Sequence, residues 1–208
     1  MKTEYNVPLA GFTTFKIGGN ADKFITAECE ADILRAINDC AERNERLFTL
    51  GAGSNLLIPD EGLRGAVLYL GRGCGNVTVS GEYIYAGAGA RLSKIARIAY
   101  EAGLTGLEFA AHIPGTIGGA VTMNAGAFGG DIAGVIETVR AADKGGRGVA
   151  EYNNAECGFG YRESLFSGGD KVITAVKLKL NRGDKAAIKE KTDDFLVKSL
   201  AFSAKSFM

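Results

Sequence analysis

Apolar and polar positions along the chain change rhythm near residue 70. Before it, short apolar runs flank one helical stripe. Residues 22–26 (DKFIT) read as a strand, and residues 31–44 place Ile33, Leu34, Ile37, Cys40 and Ala41 on one helical face. Residues 47–50 form a second strand that runs into Gly51-Ala52-Gly53-Ser54-Asn55, and residues 66–70 form a third. Strand, helix, strand predicts a small α/β unit. After residue 70 a period of two takes over. Residues 77–80 and 83–85 flank Gly81-Glu82, and glycine at the first position of a two-residue connection predicts a type II′ hairpin. Residues 92–102 predict a helix, apolar at Leu92, Ile95, Ala96 and Ala99 and closed by Gly103. Residues 135–142 predict a strand, with a turn at residues 143–146. Along residues 171–180, Val172, Val176, Leu178 and Leu180 face one way and Lys177 and Lys179 the other. Residues 184–200 predict a weakly amphipathic helix carried by Ile188, Phe195, Leu196 and Leu200. The expected division is residues 1–70 and 71–182 as two subdomains, with 183–208 as a C-terminal helix and tail.

The stretch at residues 108–130, EFAAHIPGTIGGAVTMNAGAFGG, fits none of these rhythms. It is rich in glycine, nearly uncharged and apolar. Glycine brings no side chain to a core and costs backbone entropy, so a buried strand would not carry so many. A surface loop would be more polar. The pattern predicts a wall of main chain laid against a large flat ligand, with N–H groups offered to it.

Composition narrows the class. Lys+Arg and Asp+Glu are both 24, so no gross charge bias points to nucleic acid or an anionic membrane. No stretch is long and apolar enough for a membrane span, and a cytoplasmic protein is expected. Cys29, Cys40, Cys74 and Cys157 form no C-x-x-C pair, which fits a reduced compartment and disfavours a zinc ribbon. His112 is the only histidine, so a two-histidine metal site is excluded, no metal is expected, and local packing is the expected role of that ring.

Three polar or glycine-rich segments are candidates for chemistry. In Gly51-Ala52-Gly53-Ser54-Asn55 successive N–H groups can converge on one anion, with Ser54 and Asn55 adding side-chain donors, which suits a diphosphate. A plain tight turn fits the spacing equally well. Leu56 stands where a dinucleotide fingerprint would need its third glycine. Gly87-Ala88-Gly89 is a similar turn before a helix, with Glu108 about twenty residues on, the spacing used to hold a ribose. Position 92 is leucine, so this fingerprint also fails. Gly115-Thr116-Ile117-Gly118-Gly119-Ala120 lacks the Gly-Lys-Ser/Thr ending of a P-loop. Tyr161-Arg162-Glu163-Ser164 is a polar cluster downstream. Arg162 suits a substrate carboxylate or a developing enolate, or else it is a surface arginine paired with Glu163.

Taken in order, six segments resemble the UDP-N-acetylenolpyruvoylglucosamine reductase (UDP-N-acetylmuramate dehydrogenase) family: TTFKIGG at 13–19, LGAGSNLL at 50–57, AGAGA at 86–90, GLTGLE at 103–108, IPGTIGGAVTMNAGAFG at 113–129 and YRES at 161–164. The resemblance implies an α+β, FAD-binding fold of the p-cresol methylhydroxylase type, built of two α+β subdomains. It implies noncovalent FAD held by Gly51, Ala52, Gly53, Ser54, Asn55 and Leu56 and by Ile113, Pro114, Gly115, Thr116, Gly118, Gly119, Asn124 and Gly126. It implies NADPH as hydride donor and a UDP-sugar as substrate, with Tyr161 and Arg162 on the substrate and Arg162 as the catalytic residue. The product is UDP-N-acetylmuramate for peptidoglycan. Family members continue beyond the point matching residue 208 with a substrate domain. The resemblance therefore leads to a chain impaired in turnover by itself, to a separate chain supplying that domain, or to a non-catalytic FAD-binding module. Phe202 and Phe207 are expected to fold back as a partial cover or to recruit a partner.

Overall fold

The computed structural model describes residues 1–205, with side chains through Ala201. The first sheet contains β1 (Lys2–Pro8), β2 (Asn20–Ala27), β3 (Leu47–Leu50) and β4 (Leu63–Leu70), in the order β1-β2-β4-β3. β2, β4 and β3 are parallel, and β1 adds antiparallel to the edge. Parallel neighbours need a crossover, and α1 (Glu30–Glu42) supplies it between β2 and β3. Ile25, Ala27, Leu68 and Leu70 pack toward Ile33, Ala36, Ile37 and Cys40 of α1. The other face buries Phe24, Val67 and Leu50 with Leu9, and there the rings of Phe24 and Tyr69 stack while Phe12 meets Phe24 at a tilt and Tyr69 edge-on.

The second sheet contains β5 (Val77–Ser80), β6 (Tyr83–Gly87), β7 (Ile136–Asp143), β8 (Val149–Asn153) and β9 (Lys171–Lys179), in the order β8-β7-β9-β6-β5. Every neighbouring pair is antiparallel. In the β5–β6 turn Gly81 has φ 63° and Glu82 does not enter the left-handed region, as a type II′ turn requires. α2 (Leu92–Glu101) and α3 (Ile117–Thr122) pack on the inner face, and α4 (Lys185–Lys205) lies across α2. One apolar core runs from α1 through both sheets to α2 and α3. Polar groups also tie the halves: Lys144 Nζ donates to Leu47 O at 2.7 Å, and Glu30 accepts from Arg140 and Thr174.

Several expectations are corrected. β1 and β8 carry no apolar alternation, because each is an edge strand with most side chains in water. β4 begins at Leu63, and Gly65 at φ 106° sits within it against the Arg46 carbonyl. The middle of the glycine-rich wall coils into α3, a helix its apolar pattern did not predict. On α4, Ile188 and Phe195 are buried, but Leu196 and Leu200 are 39% and 63% exposed. The expected fold-back of Phe202 and Phe207 lies outside the described residues.

Candidate functional site

The turn after β3 leaves the first sheet at its parallel end. Among the described residues, no backbone N–H from 51 to 58 donates to a protein acceptor. Buried main-chain donors are almost always paired, so the free N–H of buried Gly53, in a run otherwise half-buried or exposed except at Ile58, makes this turn a candidate ligand site. The turn is held by its carbonyls and its packing. Gly53 has φ 63°, its carbonyl accepts from Thr14 N at 3.0 Å, and a Cβ there would drive into the Phe12 carbonyl. Leu56 and Leu57 are exposed beside it, as are Phe15 and Ile17 of the neighbouring loop.

The wall meets this turn directly. Ser54 Oγ donates to Pro114 O at 3.0 Å. A Cβ on Gly51 would reach Thr116 Oγ1, and one on Gly115 would come within 3.4 Å of Ser54 Oγ. Gly115 and Thr116 also have N–H groups with no acceptor among the described residues. The structure thus brings Gly51, Ala52, Gly53 and Ser54 together with Pro114, Gly115 and Thr116. Asn55 and Leu56 are exposed at the rim and Ile113 is half-buried.

Other wall residues are differently employed. Thr116 caps α3 by accepting from Gly119 N. The N–H groups of Ile117 and Gly118 are spent on Ala90 O and Ala88 O. Gly118 is buried, and a Cβ there would meet Ala88 at 3.0 Å. Gly119 is exposed, and a Cβ on it would meet only Thr116 Oγ1 at 3.6 Å, so it alone of this pair opens outward. A Cβ on Gly126 would strike Gly130 O and Asp131, which explains that glycine by the hairpin it forms. Asn124, at φ 39°, accepts from Ala133 N and donates to Gly160 O, both at 3.0 Å.

Arg162 and Tyr161 form the tip of a tight turn in which Gly160 and Glu163 exchange backbone hydrogen bonds. Tyr161 is 94% exposed, and Arg162 adopts φ 57°, a conformation glycine usually takes. Arg162 has no ion pair among the described residues, so it does not bond Glu163. Ser164 is unlike its neighbours in the cluster: it is buried, and its hydroxyl donates to Thr122 O at 2.8 Å. Ser167, which the sequence did not single out, donates to the same oxygen. Its partner is a free carbonyl at the end of α3, visible only once that helix is seen.

The second Gly-Ala-Gly turn is closed. Gly87, Ala88, Gly89 and Ala90 donate to Asn76, Thr174, Cys74 and Gly87 respectively. Glu108 is buried, accepting from Thr105 Oγ1 and Gly106 N, with Lys191 of α4 at 3.7 Å. Burial opposes its charge, but those hydrogen bonds outweigh it and hold the carboxyl below its ordinary range. It is a structural carboxylate, not a ribose ligand. His112 packs locally, with Nε2 3.3 Å from Thr192 O of α4. Among the described residues no helix is long and apolar enough to cross a membrane, and no cluster of His, Cys, Asp and Glu could hold a metal.

Residues 21–149 match the family model described as FAD binding domain. The chain is 39% identical over 191 residues to the UDP-N-acetylenolpyruvoylglucosamine reductase of Clostridium novyi, covering 92% of this chain and 62% of that protein. It superposes on the crystal structure of the Thermus caldophilus UDP-N-acetylenolpyruvylglucosamine reductase with TM-score 0.78 and 33% identity, covering 93% of this chain and 67% of the other. A cholesterol oxidase from Brevibacterium sterolicum, at TM-score 0.62 and 16% identity over 86% of this chain and 37% of that one, shares the fold alone. The chain is thus α+β with the FAD-binding fold of the p-cresol methylhydroxylase type, and it spans less than two thirds of the curated relative it matches.

Proposed function

Because the chain belongs to the UDP-N-acetylenolpyruvoylglucosamine reductase family, we propose that it binds FAD noncovalently and serves the NADPH-dependent reduction of UDP-N-acetylglucosamine enolpyruvate to UDP-N-acetylmuramate, a cytoplasmic step of peptidoglycan precursor synthesis. The observation that carries the reading is the run of unpaired N–H groups at residues 51–58, set beside those of Gly115 and Thr116. Neutral main-chain donors converging from two loops suit a diphosphate. Residues 51–56 and 113–116 would hold it, and the exposed face at Gly119 would border the flavin. When bound, FAD supplies hydride transfer from NADPH to the enolpyruvyl double bond. No side chain of the turn offers a histidine for a covalent link, since the single histidine lies against α4.

Arg162 stands on the substrate side of this reading. Its guanidinium has no carboxylate partner within the described chain, and its planar fork matches a carboxylate through two parallel hydrogen bonds. Holding the enolpyruvyl carboxylate there would orient the double bond and stabilise charge that develops as it is reduced. Tyr161, beside it at the tip, would contact the sugar nucleotide.

The protein is to be purified, denatured in acid and assayed for released FAD, with reconstitution where it emerges colourless. Uptake of FAD without covalent attachment supports the reading; a chain that takes up none overturns it. Arg162→Lys keeps the charge and loses the fork. It should leave FAD affinity unchanged and weaken binding of the UDP-enolpyruvyl sugar, and the opposite result would move Arg162 to the cofactor.

A further inference from the structure

α3 has a different neighbour at each end. Before it, Gly115 and Thr116 abut the turn at residues 51–55. Its C-terminal end, Thr122 with Asn124 just beyond the helix, grips the loop that carries Arg162 on both sides of the arginine. Upstream, Asn124 Nδ2 donates to Gly160 O at 3.0 Å. Downstream, the hydroxyls of Ser164 and Ser167 both donate to Thr122 O at 2.8 Å. The Asn124 amide is itself fixed, because Oδ1 accepts from Ala133 N at 3.0 Å. Between the two ends α3 contributes six residues, a rise of about 9 Å. A helix that short does not bend, so the grip at one end transmits the position of the other.

We propose that Asn124, Ser164 and Ser167 are positioning residues that hold Arg162 at a set distance from the turn at residues 51–55, and that Asn124 acts on this loop and not on the cofactor. The left-handed backbone of Arg162 supports this. A non-glycine residue keeps φ 57° only where its surroundings over-determine it, and here both flanks of the turn are pinned. The placement matters to function only on the reading that Arg162 serves the substrate.

The test uses Asn124→Ala, Ser167→Ala and the conservative Ser167→Thr in the full chain. Ser167 is chosen over Ser164 because it is exposed, whereas Ser164 is buried; Ser167 Oγ also accepts from Ser164 N at 3.0 Å, so its removal loosens the loop at two bonds. Amide hydrogen exchange is followed by mass spectrometry in the peptide spanning residues 158–168. Each alanine variant removes at least two hydrogen bonds and should speed exchange there about fivefold or more. Binding of the UDP-enolpyruvyl sugar should weaken by a similar factor, while FAD affinity stays within about twofold. Ser167→Thr keeps the hydroxyl and should match the parent. Unchanged exchange in both alanine variants overturns the proposal, as does an Asn124→Ala protein that loses FAD with its exchange unaltered. If Asn124→Ala does not fold, the Ser167 pair decides. If the parent binds neither FAD nor sugar, the functional reading fails, and the exchange arm alone upholds or overturns the grip.

Discussion

The turns at residues 51–55 and 87–90 both contain Gly-Ala-Gly, and both follow a strand. In the second, every N–H from Gly87 to Ala90 is spent on a carbonyl of the chain, two of them in the segment between β4 and β5. In the first, no N–H from 51 to 58 finds an acceptor among the described residues. The difference arises from what lies alongside. The closed turn is the end of a central strand, hemmed in by β9 and by residues 74–76. The open turn leaves an edge strand and meets residues 12–14, which bond its Gly53 carbonyl, and the rim formed by residues 114–116, so no described residue alongside takes up its N–H groups. Glycine content is the same, but donor availability is opposite. A glycine turn therefore has donors to offer a ligand only where the fold withholds its acceptors.

Steric substitutions should fail to separate the two turns, and with the largest effect. A Cβ on Gly53 would strike the Phe12 carbonyl, and one on Gly87 the Cys74 carbonyl. Backbone neighbours cannot swing aside, so Gly53→Ala and Gly87→Ala should each cost about 2–4 kcal/mol. Thermal melts check this, and an unchanged Tm in either variant breaks the packing account of that glycine. Loss of FAD by Gly53→Ala would then say nothing about direct contact with the cofactor.

Gly119→Ala should separate binding from folding. The new methyl meets only Thr116 Oγ1 at ordinary contact distance, and alanine is the better helix former by about 1 kcal/mol. Tm should hold or rise, while FAD affinity falls about tenfold or more through overpacking of the cofactor face. Titration of FAD fluorescence measures it. Full affinity would show that the cofactor does not lie on this face.

Glu108→Gln tests the acidic residue that spacing alone tied to the closed turn, and whose contacts are instead with residues 105–106 and α4. The variant should leave FAD affinity unchanged and cost about 2 kcal/mol at neutral pH, since hydrogen bonds to a charged group are lost. The folded carboxyl titrates below its unfolded value, so its stabilisation is present above the ordinary carboxylate range and lost as pH falls through the folded value. Urea melts of the parent should therefore weaken below about pH 4 more steeply than those of Glu108→Gln. Parallel pH profiles would count against the structural role. The smallest effect is expected of Ser54→Ala, which removes one exposed bond to Pro114 O and should cost about 1 kcal/mol or less, with FAD affinity falling a few-fold. An effect as large as that of Gly119→Ala would mean that the Ser54 hydroxyl meets the cofactor itself.

Much of this was legible in the residues. Apolar periodicity located α1, α2, β3, β6 and β9, because each presents one face to a core and the others to water, and the edge strand β5 was found from the Gly81 turn that joins it to β6. The Gly81 turn and the Gly103 helix end were equally plain, since both require a left-handed backbone that glycine supplies. The ordered glycine motifs carried the family. β1 and β8 were not legible, because an edge strand without a buried face has no pattern to show.

What sequence determined by itself is local: which segments are helix or strand, where the chain turns, and that residues 51–55, 113–126 and 161–164 differ from ordinary packing. Only the tertiary structure decided which main-chain donors are left over, that α3 coils within the wall, and that Ser164 is a buried anchor while Arg162, two residues before it, stands free. Periodicity reports how a side chain divides itself between core and water. Whether a backbone N–H is satisfied depends on a carbonyl that arrives from elsewhere in the chain, and no local pattern encodes that arrival.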